Sequence, residues 1–211
     1  MTNKFQSLSE DQFKYLKTIE SEWTQAYIIL NDMPSLTLTV YGGAKLLESD
    51  KDYKDTVQIC HKLSKQGWGI VSGGGPGAMK AAIIGGGLGG AATTAFKIDL
   101  SREHTKDIAS NNYLFTNFPP RKHALRQSDA YLVVPGGWGT FDELFEVVTL
   151  QKVDKIAVKP IILYGKSFWT PMIEWITKEV LSKGLVKQSE IDSLIILDSV
   201  DEVVNYLSVI K

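Results

Sequence analysis

Hydrophobic and polar positions along the chain change period several times, and each change marks an element. Phe13, Leu16, Ile19, Trp23, Ala26 or Tyr27 and Leu30 recur at helical spacing behind the capping-box pair Ser9 and Gln12. That pattern predicts an amphipathic helix of about five turns. Residues 36–41 read as a short buried strand, 53–66 as a helix that Gly67 stops, and 68–72 as a second strand. A helix over 78–84 follows, and the five glycines and one leucine of 85–90 read as a loose connection. Residues 91–98 and 113–118 are strands, and Pro119-Pro120 opens a helix bearing Arg121, Lys122, Leu125 and Arg126. Strand 131–134 leads into a helix from about Thr140 to Lys152, and strand 160–164, helix 168–181, strand 194–197 and helix 200–209 close the chain.

Strands alternating with helices predict a three-layer, doubly wound, mostly parallel α/β sheet. We expect a single domain over residues 36–211, preceded by a helical extension over 1–35. The apolar side of that extension either covers the domain or meets a second copy of the chain, covering being the simpler expectation.

The 211 residues, 44% hydrophobic and 22% charged, suffice for one large core. A formal net charge of -1 argues against a nucleic-acid polymer as partner, which would need a basic face. No run of 18 apolar residues and no basic leader followed by an apolar core occurs, so a cytoplasmic protein without membrane contact is expected. The single Cys60 reads as a half-buried small side chain. No His or Cys cluster has metal-ligand spacing, and His104 and His123 read as a loop residue and a structural residue.

The most informative stretch is YLVVPGGWGTFDELFE at residues 131–146. Gly136, Gly137 and Gly139 permit a tight turn and close approach to a ligand, and the exposed N–H groups of the helix that follows favour an anion. Thr140 can donate its hydroxyl or cap the helix. Asp142 and Glu143 are expected in the first helical turn with Glu146 on a neighbouring face, so a bound phosphate needs a cation, for which Arg121 and Lys122 are the candidates. A second glycine loop, Gly73-Gly74-Gly75-Pro76-Gly77, precedes the helix at Ala78. Through Gly73, Gly75 and Ala78, with Asp99 further on, it also fits a dinucleotide fingerprint, which however usually follows the first strand of its unit and leaves the Pro135 motif unexplained.

SGGGPGAMKAA at 72–82, PPRK at 119–122 and PGGWGTFDE at 135–143 together resemble the LOG family, widely labelled "lysine decarboxylase". Its characterised members are cytokinin riboside 5'-monophosphate phosphoribohydrolases, which cut the N-glycosidic bond of a nucleoside monophosphate to release base and ribose 5-phosphate. The resemblance implies a Rossmann-like domain, a nucleoside 5'-monophosphate such as AMP or an N6-substituted AMP as substrate, no cofactor, and a homodimer or higher homo-oligomer. It implies Arg121 and Glu143 as the catalytic pair, with Gly136, Gly137, Gly139 and Thr140 on the 5'-phosphate and Lys122 nearby. Gly43, Gly73, Gly74, Gly75, Gly77 and Met79 would line the remaining substrate wall, and Glu103 is a further candidate. Glu146 would support Arg121 or a subunit contact.

The chain departs from its relatives at Gly43, where many have Ser, at Ser101, where a Pro is common, and at Pro119-Pro120, where several have Met-His. Lysine decarboxylation normally requires pyridoxal phosphate on a lysine, and no lysine here lies in a recognisable cofactor sequence. The alternative function is a non-catalytic carrier of a nucleotide or a molybdenum-cofactor-type phosphate ligand.

Overall fold

The computed structural model describes residues 8–100 and 107–210. Ser101, Glu103 and His104 lie outside the described residues. Helix α1 (Glu10–Asn31) starts on the expected capping box, with Ser9 accepting from Gln12 N–H and Gln12 accepting from Ser9 N–H. The sheet is built from β1 (Thr37–Tyr41), β2 (Gly69–Ser72), β3 (Thr93–Ile98), β4 (Asn111–Phe115), β5 (Ala130–Val133), β6 (Ile161–Tyr164) and β7 (Leu194–Leu197). Its order is β4-β3-β2-β1-β5-β6-β7 and every pairing is parallel. Strand order therefore reverses beside β1, and the crevice between the loops after β1 and β5 is the switch point where open α/β sheets bind ligands.

Helices α2 (Lys51–Ser64), α3 (Ala78–Gly89) and α8 (Val200–Ser208) cover one face, and α1, α4 (Phe118–Leu125), α5 (Trp138–Lys152) and α6 (Lys166–Trp175) the other. A short α7 (Gln188–Asp192), not foreseen from the sequence, precedes β7. The alternating strand side chains supply both cores: Leu38, Val40, Ile70 and Leu132 face the first group, Tyr41, Val71, Phe96 and Val133 the second. No helix among the described residues is long and apolar enough to cross a membrane.

Residues 85–89 are not a loose connection: they complete α3. Their glycines are a packing surface. A Cβ at Gly85 would lie 2.3 Å from Val57 O and one at Gly86 2.8 Å from Ile70 Cγ1, so α3 sits closer to α2 and the sheet than any side chain allows. The loss of helix propensity, about 1 kcal/mol per glycine, is offset by that contact.

The extension α1 covers the domain with its second half only. Ala26 is buried, and buried Glu22 accepts from Thr116 N–H (2.7 Å), Thr116 Oγ1 (2.6 Å) and Asn117 Nδ2 (3.1 Å) in the turn that launches α4. His123 of α4 stands edge-on to Trp23 and Tyr27, a structural role as expected. Phe13, Tyr15 and Leu16 of the first half stay exposed.

Candidate active site

Three glycine-containing loops converge at the carboxyl edge of the central strands. Gly43 N–H donates to Pro135 O (3.0 Å), and Gly43 O accepts from Ala78 N–H (3.1 Å), so the loops after β1, β2 and β5 are hydrogen-bonded into one unit. A Cβ at Gly43 would lie 3.1 Å from both Gly136 Cα and Pro135 O, which gives a steric reason for glycine where many relatives carry Ser. Gly77, with φ +64°, caps α3; a Cβ there would fall 2.3 Å from Gly43 O.

Helix α5 begins at Trp138, capped by Gly137, not at Thr140. Thr140 is thus the third helical residue, buried with its hydroxyl against Gly136, and Asp142 and Glu143 fall in the second turn. With no side chains at Gly137 and Gly139, the first N–H groups of the helix stay uncovered.

Helix α4 presents Arg121 from the opposite wall. Its carboxyl end is pinned to the sheet by hydroxyls: Thr39 Oγ1 (2.7 Å) and Tyr41 Oη (3.2 Å) donate to Leu125 O, and Tyr131 Oη (2.6 Å) to Arg126 O. Arg121 Nε then donates to Phe96 O at 2.7 Å, Nη2 points to Gly73 O at 3.5 Å, and Nη1 faces Glu143 Oε1 at 3.4 Å. Burial pulls the guanidinium below the usual arginine value, opposed by Glu143, and it remains a cation. Burial pushes the Glu143 carboxyl up to about 7, with Arg121 opposing that rise and Asp142 adding to it.

A cavity of about 1070 Å³ opens between these walls. Gly43, Gly73, Gly74, Gly75, Met79, Arg121, Gly136, Gly137, Gly139, Thr140 and Glu143 line it. Gly77 and Lys122 are not on that wall. Lys122, one residue round the helix from Arg121, turns to Asp142 (2.9 Å) and Glu146 (3.4 Å), and Glu146 also holds Arg126 (3.1 Å), not Arg121. Sequence reasoning missed Lys45, Lys97, Asn112, Tyr113, Trp138 and Phe168, which also line the cavity. The Gly73 loop follows β2, one strand away from the switch point, which disfavours the dinucleotide reading.

Comparison with known proteins places this geometry in a family. Residues 76–207 match the family described as "Possible lysine decarboxylase". A cytokinin riboside 5'-monophosphate phosphoribohydrolase LOG of Arabidopsis thaliana is 30% identical over 161 residues, 72% of this chain and 73% of that protein. Among solved structures, the molybdenum cofactor carrier protein of Chlamydomonas reinhardtii matches with a TM-score of 0.59 at 18% identity, over 82% of this chain and 96% of that one. The molybdenum cofactor binding protein of Rippkaea orientalis matches with a TM-score of 0.58 at 18% identity, over 83% and 96%. These two likenesses show the Rossmann-like fold, and the sequence match shows the lineage: the chain belongs to the LOG family, the family described as possible lysine decarboxylases.

Proposed function

We propose that the protein is a nucleoside 5'-monophosphate phosphoribohydrolase acting on AMP or an N6-substituted AMP. The observation that carries the reading is the Arg121–Glu143 pair, nearly shut from water on the wall of a cavity that also holds the glycine loop at the N-terminus of the helix bearing Glu143. The N–H groups of Gly137, Gly139 and Thr140 receive the 5'-phosphate. The ribose then lies along the Gly73 loop and Met79, against the Arg121–Glu143 pair.

Hydrolysis breaks the bond between C1' and the base nitrogen while a water oxygen bonds to C1'. One water proton ends on the released base. Positive charge builds at C1' and the ring oxygen, and the Glu143 carboxylate stabilises it or activates the water, as carboxylates do in glycoside hydrolysis. Arg121 holds Glu143 and the ribose in place.

A carrier of a phosphate-bearing ligand shares the fold but has no use for a buried arginine–carboxylate pair. Decarboxylation through pyridoxal phosphate fits the cavity poorly. Among the described residues, Lys97 is engaged with Asp107 and Lys45 stands exposed at a turn, so neither of these wall lysines is an uncompensated, desolvated amine suited to a Schiff base.

The test is release of free base from AMP and N6-isopentenyl AMP, followed by chromatography, for the wild type, Glu143→Gln and Arg121→Ala. Base release that both folded variants lose supports the reading. Nucleotide binding that raises the melting temperature without any base release supports the carrier instead.

A further inference from the structure

We infer that Lys45 is the side chain that neutralises the substrate phosphate, an inference that rests on the phosphoribohydrolase reading above. Among the described residues, three cationic side chains line the cavity: Lys45, Lys97 and Arg121. Arg121 faces Glu143, and Lys97 is paired with Asp107. Lys122, expected in this role, is drawn off the wall by Asp142 and Glu146. The Lys45 ammonium forms neither an ion pair nor a hydrogen bond among the described residues.

Its placement follows from the backbone. Leu46 N–H donates to Gly43 O at 3.4 Å, which puts Ala44 and Lys45 at the tip of a turn. The base of that turn is held by Gly43 against Pro135 on one side and Ala78 on the other. The tip therefore stands beside the glycine loop that starts α5, within the span of a flexible four-carbon stem.

Charge balance gives the reason for a cation there. A phosphate monoester carries close to two negative charges at neutral pH, and a helix N-terminus offers about half a positive charge. Glu143 and Asp107 offset the other two wall cations, so among the described residues Lys45 is the wall cation that supplies an uncompensated charge. As a hydrated point charge at an exposed turn, it accepts phosphate oxygens without a fixed fork geometry.

Steady-state base release from AMP and from adenosine, with ribose 5-phosphate as inhibitor, tests this in the wild type, Lys45→Ala and Lys45→Arg. For Lys45→Ala, KM for AMP and the inhibition constant of ribose 5-phosphate should each rise about tenfold or more. The value of kcat should change far less and any adenosine turnover should stay at the wild-type level, while Lys45→Arg recovers most of the loss. The rise of KM with ionic strength should flatten in Lys45→Ala. A Lys45→Ala variant that binds AMP and ribose 5-phosphate like the wild type overturns the inference and leaves the hydrolase reading standing. A wild type that releases no base fails the hydrolase reading instead. Calorimetric titration of ribose 5-phosphate into wild type and Lys45→Ala then decides the phosphate contact alone.

Discussion

Arg121 Nη1 stands 3.4 Å from Glu143 Oε1, with the two side chains only 8% and 15% exposed. The separation is long for a charge-assisted bond, which leaves the carboxylate able to turn toward a sugar. Because burial outweighs the arginine and holds Glu143 at about 7, kcat/KM for AMP should climb with pH through that value and level off above it. Arg121→Gln, if enough activity survives, should move the midpoint upward. A flat profile between about pH 5 and 9 would show that Glu143 ionisation does not gate the reaction.

The same shift predicts a stability effect. Glu143 binds its proton more tightly folded, at about 7, than at the ordinary 4.5. Its contribution to stability is therefore full below 4.5 and lost as pH rises through about 7. Glu143→Gln removes that loss, so its melting temperature relative to wild type should improve from about pH 5 to pH 8, while its kcat falls by about 10²–10⁴. Parallel thermal scans at the two pH values check the sign.

The glycines of α3 should separate cleanly. Gly85→Ala forces a methyl to 2.3 Å from Val57 O and should destabilise by about 1–3 kcal/mol. Gly87→Ala, in the same helix but with nothing within 4 Å, should stabilise by about 0.5–1 kcal/mol. Denaturant midpoints of both variants decide it; equal effects would mean that the close approach of α2 and α3 is not what selects glycine.

In the glycine loop before α5, Gly136→Ala brings a Cβ to 2.2 Å from Thr140 Oγ1 and 2.8 Å from Gly43 N, and should lower both stability and AMP affinity. Gly139→Ala meets nothing within 4 Å. It should keep its melting temperature yet still weaken AMP binding, because the added methyl occupies space the phosphate needs. An intact affinity in Gly139→Ala would argue that the phosphate lies elsewhere.

Glu22 ties α1 to the launch of α4 by three hydrogen bonds. Glu22→Ala removes three hydrogen bonds made by a buried carboxylate and should cost about 1–3 kcal/mol, with Glu22→Gln costing less. Since Thr116 and Asn117 precede the helix that carries Arg121, kcat should fall in Glu22→Ala even at temperatures where the protein stays folded. An unchanged kcat would confine the role of α1 to stability.

Much of this arrangement was legible before any coordinates. The glycine-rich break at Pro135 and the Arg121–Lys122 pair pointed to one site, because a strand, a tight turn and a helix onset leave a local signature. The strand and helix alternation gave the doubly wound sheet. Residues 85–89 misled because glycine composition imitates a linker, whereas their role depends on the distance to Val57 and Ile70, which no local pattern encodes. Lys122 misled because adjacency in sequence says nothing about which way a helical neighbour points, and here Asp142 and Glu146 capture it. Lys45 follows β1, Lys97 lies in β3 and Asn112 and Tyr113 in β4, and they meet only through sheet order. For Lys45, its place just beyond the Gly42-Gly43 turn was the one available hint.

The hydroxyls of Thr39, Tyr41 and Tyr131 fasten the far end of α4, and Arg121 itself is anchored on Phe96. The arginine is thereby held by β1, β3 and β5 at once, strands in the interior of the sheet. Such an arrangement has no separate melting event of its own: loss of activity on heating should coincide with loss of the sheet. The Arg121 wall of the cavity is as durable as the core, and a change in what the cavity holds has to occur at its rim.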